Sequence, residues 1–508
     1  MLCFFPHSLL LLLLLLPLFS LPSASSSSTM AAMNVAAPNS MLPFEAETLF
    51  KIMESLSSDQ NWRLSHPNPC QPGASWPGLE CISAPNNSHL LHVSRLDFGT
   101  SPNPTCKPTA TFPSFIFDLP LLHSLFFFNC FTHTNTTLSV SPTAFLNSSL
   151  QQLSFRSNPA LVGPIPPRLS SLKSLKILTL SQNRLSGTIP PQIFGLVSLL
   201  HLDLSYNLLT GTIPIQLGKL RSLEGLDLSY NSLTGPIPTS IGQLGLLQKL
   251  DLSSNSLTGN IPDTIEKVNS LVFLALSSNQ LGGHFPKGLE KLQNLQYFIM
   301  DDNPMQIPLP LAVGKLMKLQ ELRLASCGYS GIIPPSFSLL KNLTTLSLQN
   351  NHLSGQIPVG FSGLSHIYHL NLSRNSLTGA VPFNASFLKR LGKNLDLSGN
   401  PGLCFSPSEP TAQKFGVNVC GSNQEDGSFI QPMNESPAKS SFCYMIYLIS
   451  LKFQHFSDAS SPPLSPDGSS QNVELRSAHC PEKIVRKATA TLSVNQLELS
   501  RFSAIAET

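Results

Sequence analysis

Only 12% of this 508-residue sequence is charged, and the formal net charge is +3. A nucleic-acid binder would carry a strong basic bias, so that class is set aside. Metal motifs such as H-E-x-x-H are missing, and the thirteen His are scattered. His366 and His369 are close, but they flank a strand start in "SHIYHLNLS". The "DFG" at Asp97 to Gly99 would hold magnesium in a kinase, yet no Gly-rich loop precedes it and no HRD follows. No catalytic residue, metal or cofactor is therefore expected. Long apolar runs are absent too. The pure Leu run ends at Leu16 after starting at Leu9, and "FCYMIYLISL" stops at Leu451 after starting at Phe442. Neither approaches the ~20 residues that span a bilayer. The chain also lacks the terminal hydrophobic tail of a GPI signal. Membrane attachment stays open, with no spanning segment found.

What is present points outward. The Leu run, followed by Pro17 and small residues to about Ala24, reads as a secretory signal peptide over 1–24. N-x-[ST] sequons occur at Asn86, Asn135, Asn147, Asn342, Asn371, Asn384 and Asn434. Sugars need water, so these mark exposed surface in a secreted chain. Ten cysteines suit an oxidising compartment. The expected location is secreted or extracellular, at the cell surface or wall.

The dominant feature is a repeat. "LDLSYNLLTGTIP" begins at Leu202, "LDLSYNSLTGPIP" at Leu226 and "LDLSSNSLTGNIP" at Leu250. Indexed by its Asn, the unit runs from Asn158 to Asn400, with Cys327 in one Asn slot. Two looser units, centred on Ser101 and Cys130, precede it, which gives about thirteen rungs. Leu199, Leu202 and Leu204 fall eight, five and three positions before Asn207. Leu202 and Leu204 alternate with His201, Asp203 and Ser205, the spacing of a strand with one buried face. Such a strand cannot bury its own apolar side, so rungs must stack into a parallel sheet: an α/β repeat. An Asn amide both donates and accepts, so a column of Asn can tie one turn to the next. Gly four residues later suits a bend, and Pro stiffens the return. The Asn303 rung departs, with Ile307 where Gly is expected.

The pattern LxxLxLxxNxLxGxIP resembles the plant extracellular leucine-rich repeat, over about Val93 to Asn400. The fold this implies is a leucine-rich-repeat solenoid with its parallel sheet on a concave face and disulfide caps at both ends. In "EAETLFKIMESL", Ala46, Leu49, Phe50, Met53 and Leu56 share one helical face. The segment after it, with Trp62, Cys70, Trp76 and Cys81, is similar to the N-terminal cap of plant leucine-rich-repeat receptors, which implies a Cys70–Cys81 bridge. At the other end "GNPGLC" leads to Cys404, with Cys420 as partner. Cys106 and Cys130 are candidates for another bridge; sequence alone does not fix their connectivity, nor that of Cys443 and Cys480. The expected layout is a signal peptide (1–24), N-terminal cap (41–85), solenoid (90–403), C-terminal cap (404–425) and a mostly disordered tail (426–508) rich in Ser and Pro.

One sheet-face position, four before the Asn, reads Asp at 203, 227 and 251, then Ala275, Ile299 and Arg323. With Phe273, Tyr297, Asp301, Asp302 and Glu321 around them, these form the candidate partner-binding patch: exposed aromatics beside Arg and carboxylates. Drift of unconstrained positions is the competing explanation. The chain resembles the kinase-less plant receptor-like proteins, the group of Too Many Mouths and Piriformospora indica-insensitive protein 2. That resemblance implies extracellular recognition of a peptide or protein ligand with a receptor kinase ectodomain as partner, in development or in response to microbes. The rival is a secreted inhibitor of cell-wall-degrading enzymes, like the polygalacturonase inhibitors, which are shorter and close their C-terminal cap with clustered Cys. A structural wall protein is a third class, but repeated Ser-Pro runs are lacking.

Overall fold

A computed structural model describes residues 40–421, without 72, 85–86, 141–147, 407–414 and 416. The leader, the tail, Asn86, Asn147, Asn434, Cys443 and Cys480 lie outside the described residues. Thirteen successive strands, from Asn87–Phe98 to Leu395–Asp396, pair parallel in chain order, one per rung. With Ser40–Met41 at one edge and the antiparallel Leu79–Ala84, they make a 15-stranded sheet. The register is residue for residue, as in Leu202↔Leu226↔Leu250. Equal spacing in sequence thus becomes equal height in the sheet, and Leu199, Leu202 and Leu204 meet their copies in a buried column. Each buried Leu contributes roughly 1.5–3 kcal/mol, realised only when the neighbouring rung is folded.

The Asn column behaves as its chemistry demands. Asn231 Nδ2 donates to Leu204 O at 3.0 Å, and its Oδ1 accepts from Leu209 N at 3.0 Å. One amide therefore satisfies a carbonyl and an N–H of the preceding rung, where backbone leaves the sheet and turns inward. After most turns the chain returns through a short 3₁₀ helix, such as Ile215–Lys219 behind Pro214, and before the last strand through the α-helix Ala385–Leu391.

The "LTGT" segments do more than bend. They form two further parallel sheets, of seven and five strands, which the repeat pattern had not suggested. Thr210, Gly211 and Thr212 pair with Ser232, Leu233 and Thr234. Gly211 has φ +77, and an added Cβ would meet Thr188 Cγ2 at 2.9 Å, so the position requires both freedom and absence of a side chain.

The two smaller sheets are separated at the Asn303 rung. Leu281 N still finds Asn303 Oδ1 at 3.0 Å. Met305 N would next need an amide oxygen at position 327, but Cys327 supplies none, and it bonds Asn303 O at 2.9 Å instead. The Cys327 thiol keeps only the donating half of the role, to Met300 O at 3.1 Å. Pro308, which has no N–H, forms a lone bridge with Ser330. Burial pushes the Cys327 thiol up to about 12, so this free cysteine is an inert filler.

Both ends are covered. Helix Pro43–Leu56 buries Leu49, Phe50, Ile52, Met53 and Leu56 against the first rungs, while Ala46 is only partly buried. Glu45 is buried with them: Oε1 accepts from Val93 N at 2.9 Å, and Oε2 lies 2.7 Å from His92 Nδ1. Trp62 packs on Trp76 with ring centroids 5.1 Å apart. Cys70 is bridged to Cys81, Cys106 to Cys130, and Cys404 to Cys420. The second pairing settles the open question on Cys130: it is a bridge half and not a loose occupant of the Asn column. Among the described residues no helix is long and apolar enough to cross a membrane.

Candidate recognition surface

Two contiguous groups of side chains occupy the long sheet's face away from the Leu core. The first is an aspartate row. Asp203, Asp227 and Asp251 stand side by side in register on three strands. Ser205 N and Oγ donate to Asp203 at 3.0 and 2.7 Å, and Ser229 does the same for Asp227 at 3.1 and 2.7 Å. Asp251 accepts from Ser253 N at 3.0 Å and is buried. Lys249 lies 2.9 Å from Asp227 Oδ2 and reaches over the Phe273 ring at 5.9 Å. Burial, and then the Asp227 charge, push the Asp251 carboxyl up to about 7 and raise Asp203 as well. Burial works against the Lys249 ammonium, but Asp227 and Asp251 hold its pKa above the usual range.

A proton on Asp251 has a consequence for stability. The unfolded carboxyl ionises near 3.8, the folded one near 7. A folded pKa above the unfolded one means this group favours folding most in acid, and that stability falls as pH rises from about 4 to about 7. Asp251→Asn is expected to remove the fall, so the mutant gains melting temperature over wild type progressively across that window. Parallel melting curves for the two proteins would show that the carboxyl is ionised throughout.

The second group is the non-consensus patch. Phe273↔Tyr297↔Glu321 and Ala275↔Ile299↔Arg323 are in register on adjacent strands. The sheet thus brings together all of the expected patch residues except Asp302, which is exposed in the following turn at φ 59. The expected exposure is corrected. Phe273 is 3% exposed, Ala275 3% and Ile299 6%; Asp301 and Glu321 are also buried. Tyr297, half-buried, lies against Phe273 with ring centroids 6.0 Å apart, and Lys249 covers it from the other side. Tyr297 OH donates to Gln320 Oε1 at 3.2 Å, and burial raises its pKa. Arg323 Nε donates to Asp301 Oδ2 at 2.7 Å, while Asp301 Oδ1 accepts from Ala325 N at 2.7 Å. Burial raises the Asp301 and Glu321 pKa values, with Arg323 opposing. The patch is a flat apolar floor between two fixed cation–carboxylate pairs. Its geometry suits a docking surface more than a chemical step.

The single-position reading missed Lys249, the cation that links the two groups. Its signal was available: it stands six residues before Asn255, in the column of Phe273 and Tyr297. Ser277, on the same face, is buried with its hydroxyl unbonded within the chain. Of the described sequons, Asn135, Asn342 and Asn384 are exposed. Asn371 is half-buried on the sheet, with its Oδ1 accepting from Ser373 N and Oγ at 3.0 and 2.7 Å.

Leucine-rich-repeat family models match residues 173–233, 317–377 and 246–268. Over 145 residues, 28% of the chain, the sequence is 70% identical to Receptor like protein 29 of Arabidopsis thaliana. It is 33% identical over 145 residues to Piriformospora indica-insensitive protein 2 of the same plant. The chain spans 31% and 33% of the lengths of these two relatives. Among solved structures it is similar to PEPR1–AtPEP1, with 29% identity and a TM-score of 0.60, over 72% of this chain and 49% of that one. It is also similar to the plant peptide hormone receptor RGFR1 in complex with RGF2, with 31% identity and a TM-score of 0.52, over 58% and 50%. The fold is thus a leucine-rich-repeat solenoid, and the chain resembles the plant receptor-like proteins.

Proposed function

We propose that the protein is a non-catalytic, extracellular recognition protein that binds a peptide or protein ligand on its long sheet and acts with a receptor kinase. The observation that carries this reading is the break in the aspartate row at Ala275, Ile299 and Arg323, where an apolar floor replaces acids on a rigid sheet. One of the similar structures named above is a plant peptide hormone receptor in complex with RGF2, which supports the ligand class. The receptor-like relatives favour this reading over enzyme inhibition. A role in development or in the response to microbes belongs to the same proposal, as does the layout of leader, caps and tail.

Tyr297 is the anchor to test. It offers the patch's accessible ring edge and is already held by Phe273 and Gln320, so docking costs it little entropy. Tyr297→Ala is expected to weaken capture of a partner kinase ectodomain or peptide by about 2 kcal/mol. Asp227 is unsuitable as the control, because its loss would remove the carboxylate that pairs with the half-buried Lys249. Thr179→Ala, on the same face four rungs before Ala275, should bind as wild type does. Equal binding by Tyr297→Ala and Thr179→Ala, measured by titration against the captured partner, would move recognition off this patch.

A further inference from the structure

Charge is distributed unevenly along the solenoid. Between Asn303 and Leu395 the sequence has eight Lys and Arg but one carboxylate, Glu321, which is buried beside Arg323. Six of the eight, Lys315, Lys318, Lys341, Lys389, Arg390 and Lys393, are exposed in the segments that lead into the strands. That places them along one flank, on the rungs of Glu321–Arg323, Thr345–Ser347 and Leu395–Asp396, with none leading into His369–Asn371. None of the six has a carboxylate within ion-pair distance among the described residues.

The same flank holds a groove of about 340 Å³, lined by Gln296, Lys318, Gln320, Asn342, Thr344 and His366. Its walls are fixed rung to rung. Lys318 Nζ donates to Asn294 Oδ1 at 2.7 Å, His366 Nδ1 lies 2.8 Å from Lys341 O, and Arg390 reaches the Leu364 and Ser365 carbonyls. Tyr368 follows Thr344 in the adjoining rung, bonded through its N–H to Thr344 O, and its side chain is 67% exposed. The exposed apolar residues of this block, such as Leu311, Leu339 and Val359, do not line the groove.

From this we infer that the strand-entry flank of the last rungs binds an acidic polysaccharide, a chain of uronate sugars. Three chemistries converge on that occupant. Lys315 and Lys318 on one rung and Lys341 on the next, ~4.8 Å away, carry ammonium groups outside any ion pair, which attract closely spaced carboxylates. Side-chain amides and a hydroxyl in the groove pair with sugar hydroxyls, which ask for donors and acceptors together. An exposed aromatic face at the groove's end suits the apolar face of a pyranose ring. An acidic protein would use the charge but has no need of the amide-lined groove. This surface lies apart from the sheet-face patch and does not depend on the receptor reading.

The test uses the full secreted chain on immobilised polygalacturonate, with neutral glucan and polyglutamate as comparison matrices. Wild type is expected to bind polygalacturonate in a salt-sensitive manner and more tightly than polyglutamate. The triple variant Lys315→Glu, Lys318→Glu, Lys341→Glu should bind about ten-fold more weakly. Tyr368→Ala should weaken binding while leaving the salt dependence unchanged. Lys219→Glu is the control, since Lys219 holds the Lys315 position on an earlier rung whose strand entry also carries Glu224. Asn342 is both a groove residue and a sequon. If mass spectrometry finds sugar on it, Asn342→Gln must bind more tightly than wild type. Equal retention on polyglutamate, a triple variant that binds like wild type, or a glycosylated Asn342 whose replacement changes nothing would each overturn the inference.

Discussion

Cys70→Ser combined with Cys81→Ser is expected to unfold the first rungs while leaving the last ones folded. The bridge closes a loop with a sequence separation of 11 and holds the segment carrying Trp76 against Trp62 and the helix Pro43–Leu56. In the chain-entropy model a loop of this size contributes about 3 kcal/mol. That free energy acts locally, because each rung contacts only its neighbours and the array lacks one global core. Leu96 and Leu125, buried beneath the cap, then become the exposed end of the Leu column. Hydrogen exchange is the decisive measurement. Amides of Val93–Phe98 and Ser124–Phe128 should lose protection, those of Thr345–Ser347 and His369–Asn371 should keep it, and secreted yield should fall. Unchanged protection in the first two strands would remove the cap from the stability account. Loss spread evenly along the chain would show that the solenoid unfolds as one unit.

The repeat was legible because its physics is periodic. A Leu at every 24th residue and an Asn three positions on each fix strand register, core face and rung contacts together, since identical units have one way to stack. The smaller sheets were not legible. Their pairing runs through backbone groups of Thr, Gly and Ser, and the same residues would serve equally well in a plain turn. The break in those sheets was half-visible, through Ile307 and Cys327; its cause appears only with Met305 N seen to lack an amide oxygen.

The candidate patch shows the same division. Column arithmetic placed Phe273, Tyr297, Ala275, Ile299, Glu321 and Arg323 on adjacent strands correctly. It could not supply exposure, which depends on the neighbours' reach. Phe273 is buried because Lys249 on one side and Tyr297 on the other lean across it. Asp251 is buried while its column mate Asp227 keeps Lys249 as a partner, and a single column of letters does not rank the two. Side-chain length and lean, not strand position, decide which members of a column a ligand can touch.

Asn255→Ala should destabilise far more than Asn260→Ala, although the two are five residues apart in one rung. Asn255 Nδ2 donates to Leu228 O at 3.0 Å and to Leu252 and Ser253 O at 3.2 Å, while its Oδ1 accepts from Leu233 N at 3.0 Å. Leu228 and Leu233 belong to the preceding rung, so truncation orphans an inter-rung carbonyl and an inter-rung N–H together. Each buried orphan costs about 1–3 kcal/mol. Asn255 is half-buried, and water relieves part of that, which leaves an expected loss of about 3 kcal/mol. Asn260 is exposed, and its Nδ2 meets His284 Nε2 at 3.0 Å at the surface. Its truncation should cost at most about 0.5 kcal/mol. The contrast separates the ladder from general intolerance in a well-packed repeat, because both changes remove the same atoms from the same rung. Asn303→Ala extends the test. Asn303 is 1% exposed and lies where the second sheet is interrupted, so neither water nor a neighbouring strand compensates. Its melting shift should exceed that of Asn255→Ala. Equal shifts for Asn255→Ala and Asn260→Ala would mean that the backbone groups find other partners and that Leu packing alone sets the rung spacing.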